Sequence, residues 1–333
     1  MTFSFTAHAV RIPMIALATA TLLAAPMQLY AADGAAGYPS KPIRIVIGFS
    51  AGSSVDLSAR LIATKLAETW KQPVVADNRP GAGGAIAGQI VAKANPDGHT
   101  LISVSSAHVI LPALSSKPPY DLRDFAGITT TIVVPSVLVV SPTLGVKSVK
   151  DLIAMAKAKP GELMFSSGGV GSSTHFGAEL FKSYAALDVR HVPFKGIPDA
   201  LTEAMVGRVH FTMSPMASVL PLAKSGKVIA LAITPAKRNA AMPDVPTLAE
   251  AGVPGYRWET WFGLLAPVKT PRAIVSKLNQ EITRILVLAD IKQRWDAMGA
   301  DALPLSPDAF DKYIAEQGRV VGKLAKASNI RLD

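Results

Sequence analysis

The chain has 333 residues, a formal net charge of +10 at pH 7 and no cysteine. This length is sufficient for two packed domains, and the lack of cysteine excludes disulfides, cysteine–metal sites and a lipoprotein anchor. The basic residues are scattered and lack the aromatic interleaving of nucleic-acid-binding segments, so we expect no nucleic-acid partner. An acidic small molecule, an anionic membrane surface and a generally basic solvated surface remain as explanations, and we assign most of the charges to the last.

Residues 1–31 predict a secretory signal peptide that is cleaved after Ala31. They contain one positive charge at Arg11, an apolar run from Ile12 to Ala25 and small residues at the expected cleavage point. The apolar run is short for a membrane span, so an uncleaved anchor is the weaker alternative. We therefore expect a protein that is exported to the periplasm.

The stretch Lys41–Leu66 predicts a buried strand, a Gly/Ser loop and a helix that begins at about Ser53. Ser53 and Asp56 have the spacing of a capping box. The loop places backbone N–H groups at the positive end of a helix dipole, an arrangement that suits an anion. For Asp56 we expect helix capping and an ion pair with Arg60, and the alternative is that it orients loop donors or a ligand.

Strand-like and helix-like stretches then alternate along most of the chain. The first of them are Pro73–Ala76, the turn-rich Asn78–Gly84, a helix from about Ala85 to Ala94, a strand Thr100–Val104 with the polar loop Ser105–His108, and strands Ile128–Val134 and Val137–Val140 separated by Pro135. Two strand–loop–helix units follow: the strand Gly161–Ser166, the loop Ser167–Gly171 and the helix Ser172–Tyr184, and then the strand Val189–Val192, the loop Pro193–Gly196 and a helix opened by Pro198 and Asp199. The last elements are strands Val209–Met213, Val228–Thr234 and Trp261–Pro267 and a helical tail from Pro271 to about Lys326.

This alternation predicts an α/β fold with a mainly parallel sheet covered by helices on both faces. Two sets of strand–loop–helix units would place their loops at the carboxyl ends of the strands, facing a shared crevice. We therefore expect two lobes with a ligand cleft between them. The first lobe would be discontinuous, with residues 38–140 and 261–333, and the second would contain residues 141–260.

One motif suggests an enzyme. Gly48–Gly52 matches the G-x-S-x-G pattern of a hydrolase nucleophile elbow and lies between a strand and a helix. However, no histidine follows in the final third of the chain, where the base of such a triad usually lies, and the strand has no preceding sheet to support it. A secreted serine hydrolase that uses Ser50 therefore stays as the alternative to a binding protein.

Other catalytic or cofactor patterns are missing from the sequence. There is no H-E-x-x-H motif, no histidine pair with metal-ligand spacing and no nucleotide P-loop. His175 suits a ligand contact as well as a capping and packing role, and His210 is better explained by structure or by the cleft edge than by catalysis. We expect no catalytic activity, no metal and no cofactor.

Several segments resemble the Bug receptors, the periplasmic solute-binding proteins of tripartite tricarboxylate transporters (TctC-like). They are GFSAGSSVDLSARLIA, ADNRPGAGGAIAG, NPDGHTL, GGVGSSTHFGAELF, HVPFKG, MPDVPTLAEAGVPGY and ETWFGLLAP. The resemblance covers nearly all of the chain after the signal peptide. It implies a two-lobed, type II periplasmic-binding-protein fold that closes on a small carboxylate, acts as a monomer and has a large and a small integral membrane subunit as partners. A sensory receptor for the same ligand is an alternative.

The resemblance also implies which residues bind the ligand. Two loops would act as pincers from opposite lobes, and two further loops would line the same crevice. With His210 added at the cleft edge, the expected set is Phe49, Ser50, Ala51, Gly52, Ser53, Ser54, Asp56, Ser105, Ser106, His108, Ser167, Gly168, Gly169, Val170, Gly171, Ser172, Ser173, Thr174, His175, Phe194, Lys195, Gly196 and His210.

Two departures from the family pattern bear on the ligand. Ala51–Ser53 stands where the family often has P-G-G, and His210 stands where it often has an aspartate. If His210 replaces a cleft acid, an ammonium group loses its partner. We therefore expect a plain mono- or dicarboxylate, or an aromatic acid, in preference to an amino acid.

Overall fold

A computed structural model describes residues 35–331, together with Met1, Thr2 and Ser4. Most of the expected signal peptide therefore lies outside the described residues. The strands are β1 (Ile43–Ile47), β2 (Val74–Asn78), β3 (Thr100–Ser105), β4 (Phe125–Val140), β5 (Met164–Ser167), β6 (Arg190–Pro193), β7 (Phe211–Pro215), β8 (Ile229–Ile233), β9 (Glu259–Pro267) and β10 (Asp301–Ala302).

Ten α-helices connect or cover these strands in the described part of the chain. They are α1 (Ser54–Trp70), α2 (Ala85–Ala92), α3 (Ala107–Leu114), α4 (Val149–Ala158), α5 (Ser173–Tyr184), α6 (Ile197–Met205), α7 (Met216–Lys224), α8 (Arg272–Leu286), α9 (Ala289–Ala297) and α10 (Pro307–Ala327). None of these helices combines the length and the apolar character that crossing a membrane requires.

The strands form one continuous path in the order β2-β1-β3-β9-β4-β7-β5-β6, with β8 and β10 also paired to β4. A large apolar core lies on each face of this path, because helices pack on both sides of strands that are buried on both faces. The α/β architecture with helices on both faces was predicted correctly. The expectation of a mainly parallel sheet was only half right, because β4 and β9 run antiparallel to their neighbours.

The long strand β4 joins the two halves of the molecule. Up to Pro135 it pairs with β9, and from Ser136 onward it pairs with β7. The sequence predicted two strands separated by Pro135, and this prediction was wrong. Proline lies where one ladder ends and the next begins, so the strand continues through it with little cost in hydrogen bonds. The expected division of the chain into two lobes at residues 141 and 260 stays a prediction.

The parallel pairs place the carboxyl ends of their strands at the junction between the halves. β1 pairs with β2 and β3 in the first half, and β5 pairs with β6 and β7 in the second. Each of β1 and β5 is followed by a short Gly/Ser-rich loop and then by a helix, and β6 is followed by the loop Phe194–Gly196 and then by a helix. The loops of the two halves therefore face each other, which is the position expected for a ligand site in α/β proteins.

Candidate functional site

A small enclosed crevice lies between these loops, and four helices begin at its wall. The first turns of α1, α5 and α6 contribute to it, and so does Pro215, which directly precedes α7. Unpaired N–H groups at four helix N-termini favour an anion there. The lining residues carry hydroxyl groups or apolar side chains, and none of them is ionisable; they are Phe49, Ser53, Ser54, Val55, Ser105, Ser172, Ser173, Thr174, Ile197, Pro215 and Phe262.

Ser53 is the N-cap of α1, but its side chain makes no capping hydrogen bond. The predicted capping box is wrong in both halves, because the Asp56 carboxylate accepts from the Gly52 N–H, and the Ser53 N–H donates to the Ser50 carbonyl. The Ser53 Oγ is buried and lacks a hydrogen-bond partner among the described residues. An unpaired hydroxyl costs free energy when it is buried, so a ligand that pairs with it would remove that cost. Ala51 and Gly52, which were also predicted to bind the ligand, are exposed and do not line the crevice.

Asp56 holds the first loop in place from inside the helix. Its buried carboxylate accepts hydrogen bonds from the Gly52 N–H at 2.9 Å, Arg60 Nε at 3.0 Å and Asn78 Nδ2 at 2.9 Å. Asn78 Nδ2 also donates to the Phe49 carbonyl at 2.9 Å. Burial opposes ionisation of Asp56, but the hydrogen bonds from Arg60, Gly52 and Asn78 outweigh it and lower the pKa. Asp56 therefore pairs with Arg60 as expected and also orients the loop.

The second loop, Ser167–Ser172, is held by side-chain hydroxyls. Ser172 caps α5 by accepting from the His175 N–H at 3.2 Å, and Thr174 Oγ1 accepts from the Gly168 N–H at 3.0 Å. Ser167 Oγ accepts from the Gly169 N–H at 3.1 Å. These hydrogen bonds hold the loop backbone in one conformation beside the crevice, so the other N–H groups of the loop keep fixed positions.

A stacked pair of histidines lies beneath this loop. The His175 and His191 ring centroids are 3.9 Å apart. His175 Nδ1 accepts from the Gly171 N–H at 3.2 Å, and His191 Nε2 lies 2.6 Å from Ser167 Oγ. Burial, with the charges of His191 and Lys182, lowers the pKa of His175 to about 3. Burial and Lys182 lower the pKa of His191 to about 4. The pair is thus neutral at pH 7 and supports the loop by hydrogen bonds.

His108 is part of the apolar core of the first half. It stacks on Tyr120 at a centroid distance of 5.0 Å and meets the edge of Phe125 at 4.8 Å. Burial lowers its pKa to about 3. Of its neighbours in the predicted set, Ser105 lines the crevice, whereas Ser106 Oγ accepts from the Trp261 N–H at 3.1 Å. Of Ser105, Ser106 and His108, only Ser105 lines the crevice.

His210 lies at the other end of the second half. It directly precedes β7, its N–H donates to the Met164 carbonyl at 2.8 Å, and its Nδ1 accepts from the Met164 N–H at 2.9 Å. Met164 is the first residue of β5, whereas the crevice lies beyond the last, Ser167. The structure does not bring His210 to the crevice, because parallel strands place their first and last residues at opposite edges. The argument from His210 against an amino-acid ligand therefore loses its basis.

The loops of the two halves touch each other around the crevice. Ser50 Oγ donates to the Lys195 carbonyl at 3.3 Å, and the hydroxyls of Ser54 and Ser218 lie 2.9 Å apart. A neighbouring groove is lined by Gly168–Val170, Pro193–Lys195 and Asp199 together with residues 81–83. The crevice itself has a volume of about 20 Å³, which is room for about one water molecule. The two halves are therefore in contact around a crevice that is too small for a dicarboxylate as it stands.

The geometry at Ser50 gives no support to the hydrolase alternative. Its hydroxyl donates to a backbone carbonyl, and none of the described residues offers it a histidine partner. A serine nucleophile needs a base within hydrogen-bond reach. In the described part of the chain, no group of three or more His, Cys, Asp or Glu side chains could hold a metal ion.

Two halves joined by shared strands, with helix N-termini around a closed crevice, define the two-lobed fold of periplasmic solute-binding proteins. We call the half with β1–β3 the first lobe and the half with β5–β7 the second lobe. The chain belongs to the TctC family, the tripartite tricarboxylate transporter family receptors, whose model matches residues 58–330. The family identified from the sequence motifs is confirmed.

Known relatives agree with this assignment. Protein BugT of Bordetella pertussis is 36% identical over 283 residues, which cover 84% of this chain and 87% of BugT. A Rhodopseudomonas palustris protein solved with adipate is 35% identical and superposes with a TM-score of 0.85, covering 88% of this chain and 99% of that one. MatC from the same species, solved with bound malate, is 30% identical with a TM-score of 0.83, covering 86% and 99%.

Sequence reasoning missed several residues of the site. Asn78 belongs to the ADNRPGAGGAIAG segment but was not assigned a role, although an amide side chain at the end of a strand can hold a neighbouring loop by hydrogen bonds. His191 was not included in the predicted site. The apolar wall of the crevice, Val55, Ile197, Pro215 and Phe262, has no local signal because these residues come together from four separate elements.

Proposed function

We propose that this protein is an exported receptor that captures a small carboxylate in the periplasm between its two lobes and delivers it to the membrane subunits of a tripartite transporter. The observation that carries the proposal is the crevice itself, where helix N-termini and hydroxyl groups converge and the Ser53 hydroxyl is buried without a partner. The membership of the TctC family supports delivery to a transporter. The proposed receptor acts as a monomer and has no catalytic activity.

The main chain and hydroxyl groups can bind a carboxylate without an arginine. Each helix N-terminus contributes about 0.3–1 kcal/mol to anion binding, and up to about 2 kcal/mol when partly buried. Each hydrogen bond to a charged group adds about 1.5–3 kcal/mol. Three or four such bonds, less the cost of ordering the ligand, approach the roughly −8 kcal/mol of a micromolar complex.

The lining also explains which carboxylates should bind. None of the eleven lining residues is an acid that could pair with an ammonium group, and Asp56 is already engaged by Gly52, Arg60 and Asn78. Phe49, Val55 and Phe262 instead offer an apolar surface to the body of the ligand. The proposed ligand is therefore a mono-, di- or aromatic carboxylic acid, on grounds that do not involve His210. The adipate and malate of the two Rhodopseudomonas neighbours belong to the same chemical class.

Thermal unfolding with a panel of acids tests the proposal. The chain without residues 1–31 would be heated alone and with adipate, malate, benzoate, aspartate and glutamate. A ligand present at about 100 times its dissociation constant adds about 2.7 kcal/mol to the free energy of unfolding. For a chain of this length, that raises the melting temperature by about 4 °C. If the protein, refolded free of any bound ligand, responds to no carboxylate, the proposed function is wrong.

A further inference from the structure

One close approach between the lobes involves a glycine in ordinary extended backbone. Gly196 is the N-cap of α6, with φ −175° and ψ 174°, a conformation that any residue adopts. A Cβ added to Gly196 would lie 2.6 Å from Ser50 Oγ and 2.8 Å from Ser50 Cβ. Gly196 belongs to the second lobe and Ser50 to the first. The backbone at this position therefore does not require glycine, whereas the approach of the opposite lobe does.

A second contact of this kind lies in the loop after β2. A Cβ added to Gly83 would lie 2.3 Å from the Val170 carbonyl oxygen, 3.2 Å from Gly171 C and 3.3 Å from Ser172 N. These are backbone atoms of the second lobe, so no side-chain rotation could relieve the clash. Gly83 has φ +62°, and alanine would also be strained there by its own backbone.

We propose that Gly196 and Gly83 are positioning residues that set how closely the lobes can approach, and thereby the affinity of the receptor for its ligand. The inference rests on the proposed function, because it assumes that the ligand is held between closed lobes. Because both positions carry only hydrogen, Gly196 can lie against the Ser50 side chain and Gly83 against the backbone of residues 170–172, and the helix N-termini of both lobes reach the same cavity. A methyl group at either position acts as a wedge.

The wedge at Gly196 must be relieved by lobe separation. Ser50 Oγ could rotate away, but Ser50 Cβ is bonded directly to the backbone of the first lobe and cannot. Protein interiors lack the free space to absorb such an overlap in place. The lobes would have to stay further apart than in the parent, which lengthens every hydrogen bond that spans the ligand.

The experiment measures adipate binding by calorimetry for the parent chain and for Gly196→Ala. We expect affinity for adipate to fall about 5- to 100-fold, the range typical of an overpacked contact. Ser50→Gly removes both clashing atoms, so the double variant should bind adipate within about threefold of Ser50→Gly alone. Gly37→Ala is the matched control, because an added Cβ there has no neighbour within 4 Å.

The same logic applies to Gly83 with a control for backbone strain. Gly145 has φ +73° and no atom within 4 Å of an added Cβ, so Gly145→Ala carries comparable strain without the wedge. Only Gly83→Ala should weaken binding. Parent affinity in both wedge variants would overturn the proposal. So would a loss in Gly196→Ala that Ser50→Gly does not relieve, because Gly196 would then act by touching the ligand.

Small-angle X-ray scattering separates this proposal from the proposed function. The parent chain with adipate should be more compact than Gly196→Ala with adipate. If the parent chain binds no carboxylate, the proposed function fails, but the comparison is still made without ligand. A larger radius of gyration for Gly196→Ala supports the wedge, and equal radii overturn it.

Discussion

Replacing Asp56 by asparagine would measure how much the first loop depends on one buried carboxylate. Asp56 accepts from the Gly52 N–H, Arg60 Nε and Asn78 Nδ2, all at about 3 Å. Asparagine keeps the shape but has one acceptor oxygen, and its NH₂ group would face a donor. At least one buried donor then loses its partner, and the bonds that remain lose the assistance of the charge. We expect Asp56→Asn to lower the free energy of unfolding by about 2–4 kcal/mol at pH 7.

Urea unfolding followed from pH 7 to pH 3 is the assay. Because the pKa of Asp56 is lowered in the folded protein, its stabilisation is fully present above the unfolded pKa of about 3.9 and is lost as the pH falls through the folded value. The parent and Asp56→Asn curves should therefore converge at low pH. Asp151 occupies the same third helical position in α4 but is exposed, so Asp151→Asn is the matched control, with an expected cost below about 1 kcal/mol.

The result that would refute this reasoning is a small stability loss with a large binding loss. If Asp56→Asn unfolds within about 1 kcal/mol of the parent and yet binds adipate more than about tenfold more weakly, Asp56 contacts the ligand. Coupling to Asn78 provides a second check. A double-mutant cycle of Asp56→Asn and Asn78→Ala should show an interaction energy of about 1 kcal/mol or more, because the two side chains share hydrogen bonds.

Three further outcomes are expected. Ser53→Ala should stabilise the free protein by about 1 kcal/mol in urea unfolding, because it removes a buried unpaired hydroxyl, and should weaken adipate binding about tenfold in calorimetry. A variant in which stability and adipate affinity both rise or both fall would contradict this. His108→Phe should make the stability profile less steep on its acid side: His108 takes up a proton below about pH 6.5 in the unfolded parent and only near pH 3 in the folded parent, so between these values the parent loses more stability than the variant, which keeps the contributions of His175 and His191. In competition calorimetry, glutamate should displace adipate at least tenfold less well than glutarate does, because the crevice lining offers its ammonium group no acid.

Local patterns were sufficient to predict the strand–loop–helix units. The loops after β1, β5 and β6 were expected at the carboxyl ends of strands, and the structure places them there. Their meeting at one crevice also followed, because parallel pairing within each half directs both sets of loops to the junction. These predictions depend on periodicity and turn chemistry, which act over short distances along the chain.

The errors arise where a distant element decides the outcome. Pro135 looked like a strand break, but β9 pairs up to it and β7 pairs beyond it, so one strand continues. The Ser53 and Asp56 spacing looked like a capping box, but the Ser53 hydroxyl makes no cap and Asp56 accepts instead from the Gly52 N–H and from Arg60 and Asn78. His210 looked like a cleft residue until the start of β5 was found to pair with it. Each case needed a tertiary neighbour that no local pattern names.

Recognition by backbone rather than by side chains has an evolutionary consequence. The N–H groups at the start of α1 and α5 are present whatever residues occupy those positions, so point substitutions can hardly abolish the anion-binding end of the crevice. The apolar side chains of Val55, Ile197 and Phe262 are free to drift, since a changed side chain at these positions leaves the main-chain N–H groups in place. In evolution, such a receptor can therefore exchange one carboxylic acid for another by changing a few wall residues, without passing through a variant that binds no carboxylate.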